Sequence, residues 1–236
     1  MVFRKDHIAK FRQICYNICG MLFCEAEKIN DIIQEETMRS YIITKKNEQL
    51  DWEKVPAVSV DNCLWVAEAG ISTKAQVCYD ADAIYVRMTA KEAEIRAVEE
   101  GPFGQPWVDS CMEFFFCPNP HDGTYLNIEF NPNRCLCMGV GLGRPDRIRL
   151  VMKDENPLNA EVTMTEDGWQ ITYRIPTDLI RRFVPGFQAE SGAMMRGNFY
   201  KCGELTPKEH YYSWNPVELP KPEFHCSEYF GKLYFE

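Results

Sequence analysis

The chain has 236 residues, of which 45% are apolar and 26% charged, and these proportions argue against a disordered chain or a coiled coil. The chain has 26 basic and 35 acidic residues and therefore a net charge of −9. This charge argues against binding to a phosphate backbone or to an anionic membrane surface. We therefore expect a neutral ligand, and neither a nucleic acid nor a membrane as partner.

The first 37 residues differ in pattern from the rest of the chain. Apolar side chains recur there at three- and four-residue steps, which predicts an amphipathic helical extension over residues 1–37. A signal peptide is the alternative, but the apolar stretch 14–24 is short and is interrupted by Tyr16, Asn17 and Gly20. The prediction is a cytoplasmic protein, or an extracellular one if this segment is a signal.

The eleven cysteines support the same compartment. They form no CxxC motif, and several lie in apolar strand-like runs, where a free thiol behaves as a small apolar group. Buried, unpaired thiols indicate a reducing environment.

From Tyr41 onward the hydrophobic period changes to two, which is typical of strands. An acidic turn is flanked by alternating runs at 73–79 and 84–89, which predicts a β-hairpin. Further alternating runs follow at 112–116, 126–130 and 169–175. One short helical segment is predicted at 179–183. We expect a single mostly β domain over residues 38–236, an antiparallel two-sheet β-sandwich of jelly-roll type, with one face of each strand in water.

Three carboxylates lie on or beside neighbouring predicted strands: Asp109, Glu113 and Glu129. Two of them could approach each other, as the acids of a glycosidase must. The simpler interpretation is that each is a solvated group on the open face of the sheet.

Two tryptophans stand in predicted loops. Trp107 follows a run of turn-forming residues, and Trp214 lies in the segment Tyr-Tyr-Ser-Trp-Asn-Pro, whereas Trp169 is in register with apolar residues and is predicted to be core. An exposed indole packs well on the C–H face of a sugar ring, while polar side chains bond the hydroxyls. Covering apolar loops is the alternative role for these two rings.

The order of four motifs resembles that of the carbohydrate-binding modules of family 9 and their relatives in the wider DOMON-like group. The motifs are the strand-turn-strand at 75–87, the Trp-Val-Asp-Ser-x-x-Glu strand at 107–116, the Trp-containing strand at 167–176 and the closing strand at 230–236. The chain departs from the family pattern at Arg174, where that strand often has an acidic residue.

The resemblance implies a non-catalytic β-sandwich that holds a sugar between two tryptophan rings, here Trp107 and Trp214, with Glu113 as the nearby acidic group. Such modules usually accompany secreted glycosidases, which implies a link to polysaccharide degradation. Structural calcium occurs in the family, but its ligands are not matched in this sequence.

The leading hypothesis is therefore weak binding of a mono- or oligosaccharide, with no catalytic residue. Trp107 and Trp214 would stack on the ring and Glu113 would accept hydroxyl protons, with Tyr125, Asn127 and Glu129 as further polar candidates. One alternative is a glycoside hydrolase that uses Asp109, Glu113 or Glu129. Another is a haem or redox carrier of the DOMON type.

Overall fold

The computed structural model describes residues 38–236, and within that range the chain forms fourteen strands and one α-helix, α1 (Thr177–Arg181). The predicted helical extension over residues 1–37 lies outside the described residues. The strands are β1 (Ser40–Lys45), β2 (Ala57–Val60), β3 (Asn62–Cys63), β4 (Ser72–Tyr79), β5 (Ala83–Lys91), β6 (Cys111–Cys117), β7 (Tyr125–Phe130), β8 (Leu136–Gly141), β9 (Ile148–Leu150), β10 (Glu161–Thr165), β11 (Gly168–Pro176), β12 (Met194–Gly203), β13 (His210–Ser213) and β14 (Gly231–Phe235).

The strands form one curled path in the order β10-β11-β5-β4-β1-β14-β12-β6-β7-β8-β9, with β2 beside β4, and β13 between β12 and β3. All pairings are antiparallel except those of β1, which runs parallel to both β14 and β4. The expectation of a purely antiparallel fold is therefore wrong at β1. Both of its partners are distant in sequence, so no hairpin signal reports these pairings.

The two arms of the path face each other across the main core. Phe130 of β7 packs on Tyr173 of β11 with ring centroids 5.2 Å apart, although the two strands lie in different arms. The alternation predicted for β5 and β11 is confirmed, because Ile84, Val86 and Met88 are buried, as are the four predicted inward residues of β11 from Trp169 to Ile175. These residues form one apolar cluster with the inner face of β6 and β7.

The outer face of β6, β7 and β12 is also buried, against the expectation that polar faces meet water. The segment 215–230, which we call the covering loop, packs across it. Phe224 of this loop stacks on Tyr200 with centroids 4.0 Å apart, and Phe115 and Tyr125 belong to the same second apolar cluster. The covering loop thus converts one exposed sheet face into an interior.

No helix within residues 38–236 is long and apolar enough to cross a membrane.

Candidate functional site

The candidate site is a pocket on the outer face of β6, β7 and β12. Its cavity volume is about 50 Å³, room for a few water molecules at the ~10–15 Å³ that one water requires. Two tryptophans and four acidic side chains contribute to its wall: Trp65, Trp107, Glu113, Glu129, Glu204 and Glu223. Arg144, Arg147, Cys202 and His225 complete the polar lining.

Two carboxylates meet at the floor of the pocket. Glu113 and Glu129 are direct register partners on β6 and β7, and both are buried. The Cys202 thiol donates to Glu113 Oε1 at 3.0 Å, while Glu129 Oε1 accepts from Asn127 Nδ2 at 2.8 Å and from Arg147 at 3.3 Å. Burial raises the pKa of both carboxyls, and the negative charge of Glu129 raises the pKa of Glu113 further. The pair therefore retains a proton near neutral pH and can both donate and accept hydrogen bonds.

His225 of the covering loop forms the side of the pocket next to these acids. Arg147 Nη1 lies 3.0 Å from its Nε2, and the Tyr125 hydroxyl lies 2.8 Å from its Nδ1. Burial lowers the pKa of His225 to about 2, with the charges of Arg147 and Arg144 adding to the effect, so the ring is neutral. Because a guanidinium can only donate, Nε2 is the acceptor, and we assign the proton to Nδ1.

Trp65 and Trp107 supply the aromatic wall. Trp65 has a left-handed backbone with φ of 60°, and its Nε1 donates to the Leu219 carbonyl of the covering loop at 2.6 Å. Its ring packs between Tyr211 and Phe224, with centroids 5.5 and 5.6 Å away. Trp107 lies in a short 3₁₀ turn, Pro106–Val108, directly before β6. Both indoles are half-buried, which leaves part of each ring available to a ligand.

Trp214 does not take part in this wall, which corrects the expectation of an exposed stacking ring. Only 2% of it is exposed, and its ring packs 5.7 Å from Phe199 in the main core. Its backbone N–H donates to the Phe199 carbonyl, so it continues β13, and it shares an inward face with Tyr212. The ring also lies against Gly231, where an added Cβ would come within 2.5 Å of it.

Asp109 does not line the pocket either. It is completely buried, pairs with Arg96, and accepts from the backbone N–H groups of Val98 and Glu99 and from Asn131 Nδ2 at 2.7–2.8 Å. Its role is to anchor the segment that leads to Trp107. The expectation that Asp109 is a solvated or catalytic carboxylate is therefore wrong.

Tyr125 and Asn127 share the outer face of β7 with Glu129, as the alternation predicts, but neither lines the pocket. Tyr125 orients His225 and Asn127 orients Glu129 through the hydrogen bonds given above. Both side chains are buried rather than solvated. They support the residues that line the pocket.

Trp65, Arg147 and His225 are among the pocket residues that sequence reasoning missed. His225 comes from a segment with no alternating pattern, Arg147 begins a predicted strand run whose polar residues carry no binding motif, and the ring of Trp65 depends on a left-handed backbone that no turn motif announces. A weak signal existed, since Trp65 stands in the apolar run Cys63–Val66 beside an early predicted strand.

Within residues 38–236, one group of His, Cys, Asp or Glu side chains is close enough to share a metal ion: Cys111, Glu113 and Cys202. Calcium takes oxygen ligands, so two thiols do not suit the structural calcium that the resemblance implies. The acidic turn before β5 does not supply it either, because the Asp80 carboxylate already bonds Lys46, Tyr85 and two backbone N–H groups.

The curled sheet and its aromatic, carboxylate-floored pocket define a small ligand-binding module. The chain belongs to carbohydrate-binding family 9, whose model matches residues 44–235. This is a family of non-catalytic binding modules, so the predicted family and the prediction of a binding protein rather than an enzyme are both confirmed.

Solved structures agree with this assignment. A candidate carbohydrate-binding protein from Bacteroides uniformis ATCC 8492 superposes with a TM-score of 0.74 at 26% identity, covering 84% of this chain and 100% of the other. A family 9 module from Caldicellulosiruptor kristjanssonii, solved with cellotriose and with glucose, gives TM-scores of 0.61 and 0.60 at 12% identity. These two comparisons cover 84% of this chain and 94% and 96% of theirs, and they show a shared fold. No curated protein matches the chain.

Proposed function

We propose that the pocket binds one hexose unit of a carbohydrate, with Trp65 and Trp107 against the apolar face of the ring and Glu113 and Glu129 bonding its hydroxyls. The curled sheet serves as the two-layer β-sandwich of the family and carries the site on the outer face of one layer. The observation that carries the proposal is the pair of buried carboxylates beside two half-buried indoles. The cellotriose and glucose bound to the Caldicellulosiruptor kristjanssonii module point to the same ligand class.

The proton that Glu113 and Glu129 retain allows this pair to hydrogen-bond sugar hydroxyls both as donor and as acceptor. Each hydroxyl donates one hydrogen bond and accepts others. A carboxylate–carboxylic acid pair offers both functions within one small area, so two neighbouring hydroxyls can be matched without burying an unpaired charge.

The mouth of the pocket must open for a whole ring to enter, because the cavity is smaller than a hexose. Arg144 and Glu223 lie at its solvent end and form a two-pronged ion pair, with N–O distances of 2.9–3.2 Å. An exposed ion pair contributes only about 0–1 kcal/mol, so parting these side chains costs little. Two ring contacts and a few hydrogen bonds then support affinity in the micromolar-to-millimolar range.

Titration of glucose and cellotriose by calorimetry tests the proposal. We expect Trp65→Ala and Trp107→Ala each to weaken binding at least about tenfold, which corresponds to roughly 1.4 kcal/mol. Trp52→Ala is the matched control, since Trp52 is also half-buried but lies outside the pocket, next to β4. If both pocket variants bind like the wild type, the proposed site is wrong.

The hydrolase alternative loses its third acid, because Asp109 is an anchoring residue. No specific observation favours the haem-carrier alternative. A cytoplasmic location remains a prediction from the sequence.

A further inference from the structure

A cluster of two thiols and one carboxylate lies beneath the pocket. Cys111 and Cys202 are direct register partners on β6 and β12, and Glu113 follows Cys111 by two residues on the same face of β6. The two Sγ atoms and one oxygen of Glu113 all lie within 4.8 Å of one another. All three side chains are almost completely buried.

We propose that Cys111, Cys202 and Glu113 bind a single Zn²⁺ ion, with its fourth coordination position open toward the pocket. Two sulfur ligands and one oxygen ligand are a donor set that zinc accepts and that calcium and magnesium avoid. Bonds of about 2.0–2.3 Å in a tetrahedron place ligand atoms roughly 3.3–3.8 Å apart. The observed separations are at most 4.8 Å, so the ligand atoms need to approach by no more than about 1–1.5 Å to reach that geometry.

Access to the cluster is through the pocket itself. Glu113 and Cys202 both line the cavity, and Cys111, which does not line it, has its Sγ within 4.8 Å of their ligand atoms. An ion can therefore enter from solvent and keep water, or a ligand in the pocket, as its fourth partner. This open position distinguishes the arrangement from a closed structural zinc site.

The net charge of the zinc-loaded cluster would be balanced by its surroundings. In the metal-free protein burial keeps the thiols protonated, and the Cys202 S–H bonds Glu113. Binding displaces the two thiol protons to solvent and leaves the proton of the Glu113–Glu129 pair on Glu129, so that two thiolates and the Glu113 carboxylate surround Zn²⁺ with a net charge of −1. Arg144 and Arg147 line the same pocket and compensate this charge.

The proposal is tested with the full chain, stripped by a chelator and carrying Cys15→Ser, Cys19→Ser and Cys24→Ser to remove the thiols of the N-terminal segment. Titration with Co²⁺ is expected to give one ion per chain, with a thiolate charge-transfer band and tetrahedral d–d absorption, and Zn²⁺ should displace it. Cys111→Ser and Cys202→Ser should each abolish the charge-transfer band or weaken zinc binding by more than about 100-fold, beyond the loss seen for outer partners.

Cys117→Ser is the matched control, because Cys117 lies on the same face of β6 and is also buried, yet is outside the cluster. It should leave the metal spectrum unchanged. Glu113→Gln preserves side-chain volume and should weaken Zn²⁺ binding while the thiolate band remains. Circular dichroism confirms that each variant is folded. The absence of a Co²⁺ band in the parent protein, or a band that survives both Cys111→Ser and Cys202→Ser, overturns the proposal.

Discussion

Glu113 and Glu129 stand opposite each other on adjacent antiparallel strands, and both are buried beneath a loop that comes from a distant part of the chain. Two facing carboxylates in water would simply repel each other. Here the covering loop removes the solvent, so that the two groups retain a proton between them. The sheet places the acids together, and the covering loop changes their chemistry.

We expect mutation of Trp214 to affect mainly the stability of the protein, and mutation of Trp65 to affect mainly its affinity for sugar. Trp214→Ala should lower the free energy of unfolding by about 3–5 kcal/mol, because it empties a core site, but should leave the sugar affinity of the folded fraction unchanged. Trp65→Ala should lower affinity with a smaller loss of stability, since Trp65 is only half-buried. Urea unfolding and calorimetric titration measure the two effects. Trp214→Phe provides a folded variant if the alanine form is too unstable, and reduced sugar affinity in it would contradict this assignment.

Asp109 is expected to influence binding indirectly, through Trp107. Asp109→Asn replaces one charged oxygen with an amide and leaves at least one of the Val98 and Glu99 N–H groups, or Arg96, without its partner. We expect a stability loss of about 1–3 kcal/mol and weaker sugar binding, because the anchored segment leads to Trp107. Hydrogen exchange at residues 98–108 should increase in parallel. Unchanged exchange with lost affinity would instead indicate direct contact between Asp109 and the ligand.

A second buried ionic network lies away from the pocket. Lys201 is completely buried, its Nζ lies 3.1 Å from Glu92 Oε2 and 2.7 Å from His210 Nε2, and Glu92 also accepts from Trp169 Nε1 at 2.7 Å. Lys201→Met should cost about 3–5 kcal/mol of unfolding free energy, because Glu92 then stays buried without its cation.

The double variant Lys201→Met/Glu92→Gln removes both charges of this network and keeps an acceptor for Trp169. Much of the lost stability should return in it, as measured by urea unfolding. If the double variant is as unstable as Lys201→Met alone, packing rather than charge explains the loss.

His225 makes stability depend on pH in a defined direction. Its folded pKa of about 2 lies below the ordinary value of 6.5, so the unfolded chain binds the proton more readily. The stabilisation is therefore complete above pH 6.5 and decreases as the pH falls from there toward 2.

His225→Gln should remove this pH-dependent contribution, so the stability advantage of the wild type over the variant should shrink as the pH falls from 6.5 to 4. His210, whose pKa burial lowers to about 4, acts in the same direction in both proteins and cancels in the comparison. Unfolding free energies at several pH values provide the measurement. A constant difference between the two proteins across this range would show that His225 does not titrate as described.

The period-two alternation of apolar residues was enough to predict much of the fold from the sequence. It identified the main strands, the inward face of β11 with Trp169, and the neighbouring positions of Glu113 and Glu129, because side-chain direction in a strand follows from local backbone geometry. The order of motifs was sufficient to recognise the family. The predicted extension over residues 1–37 stays a prediction.

Only the tertiary structure decided which side chains meet the pocket. Trp65 comes shortly after β3 and Trp214 directly after β13. Trp65 nevertheless lines the cavity, whereas Trp214 lies in the core. The difference arises because the covering loop, distant in sequence, closes over the outer face of β6, β7 and β12 beside Trp65, whereas Trp214 packs on Phe199 in the main core. Burial depends on what lies opposite a residue in space, and for long-range contacts a local pattern does not contain that information.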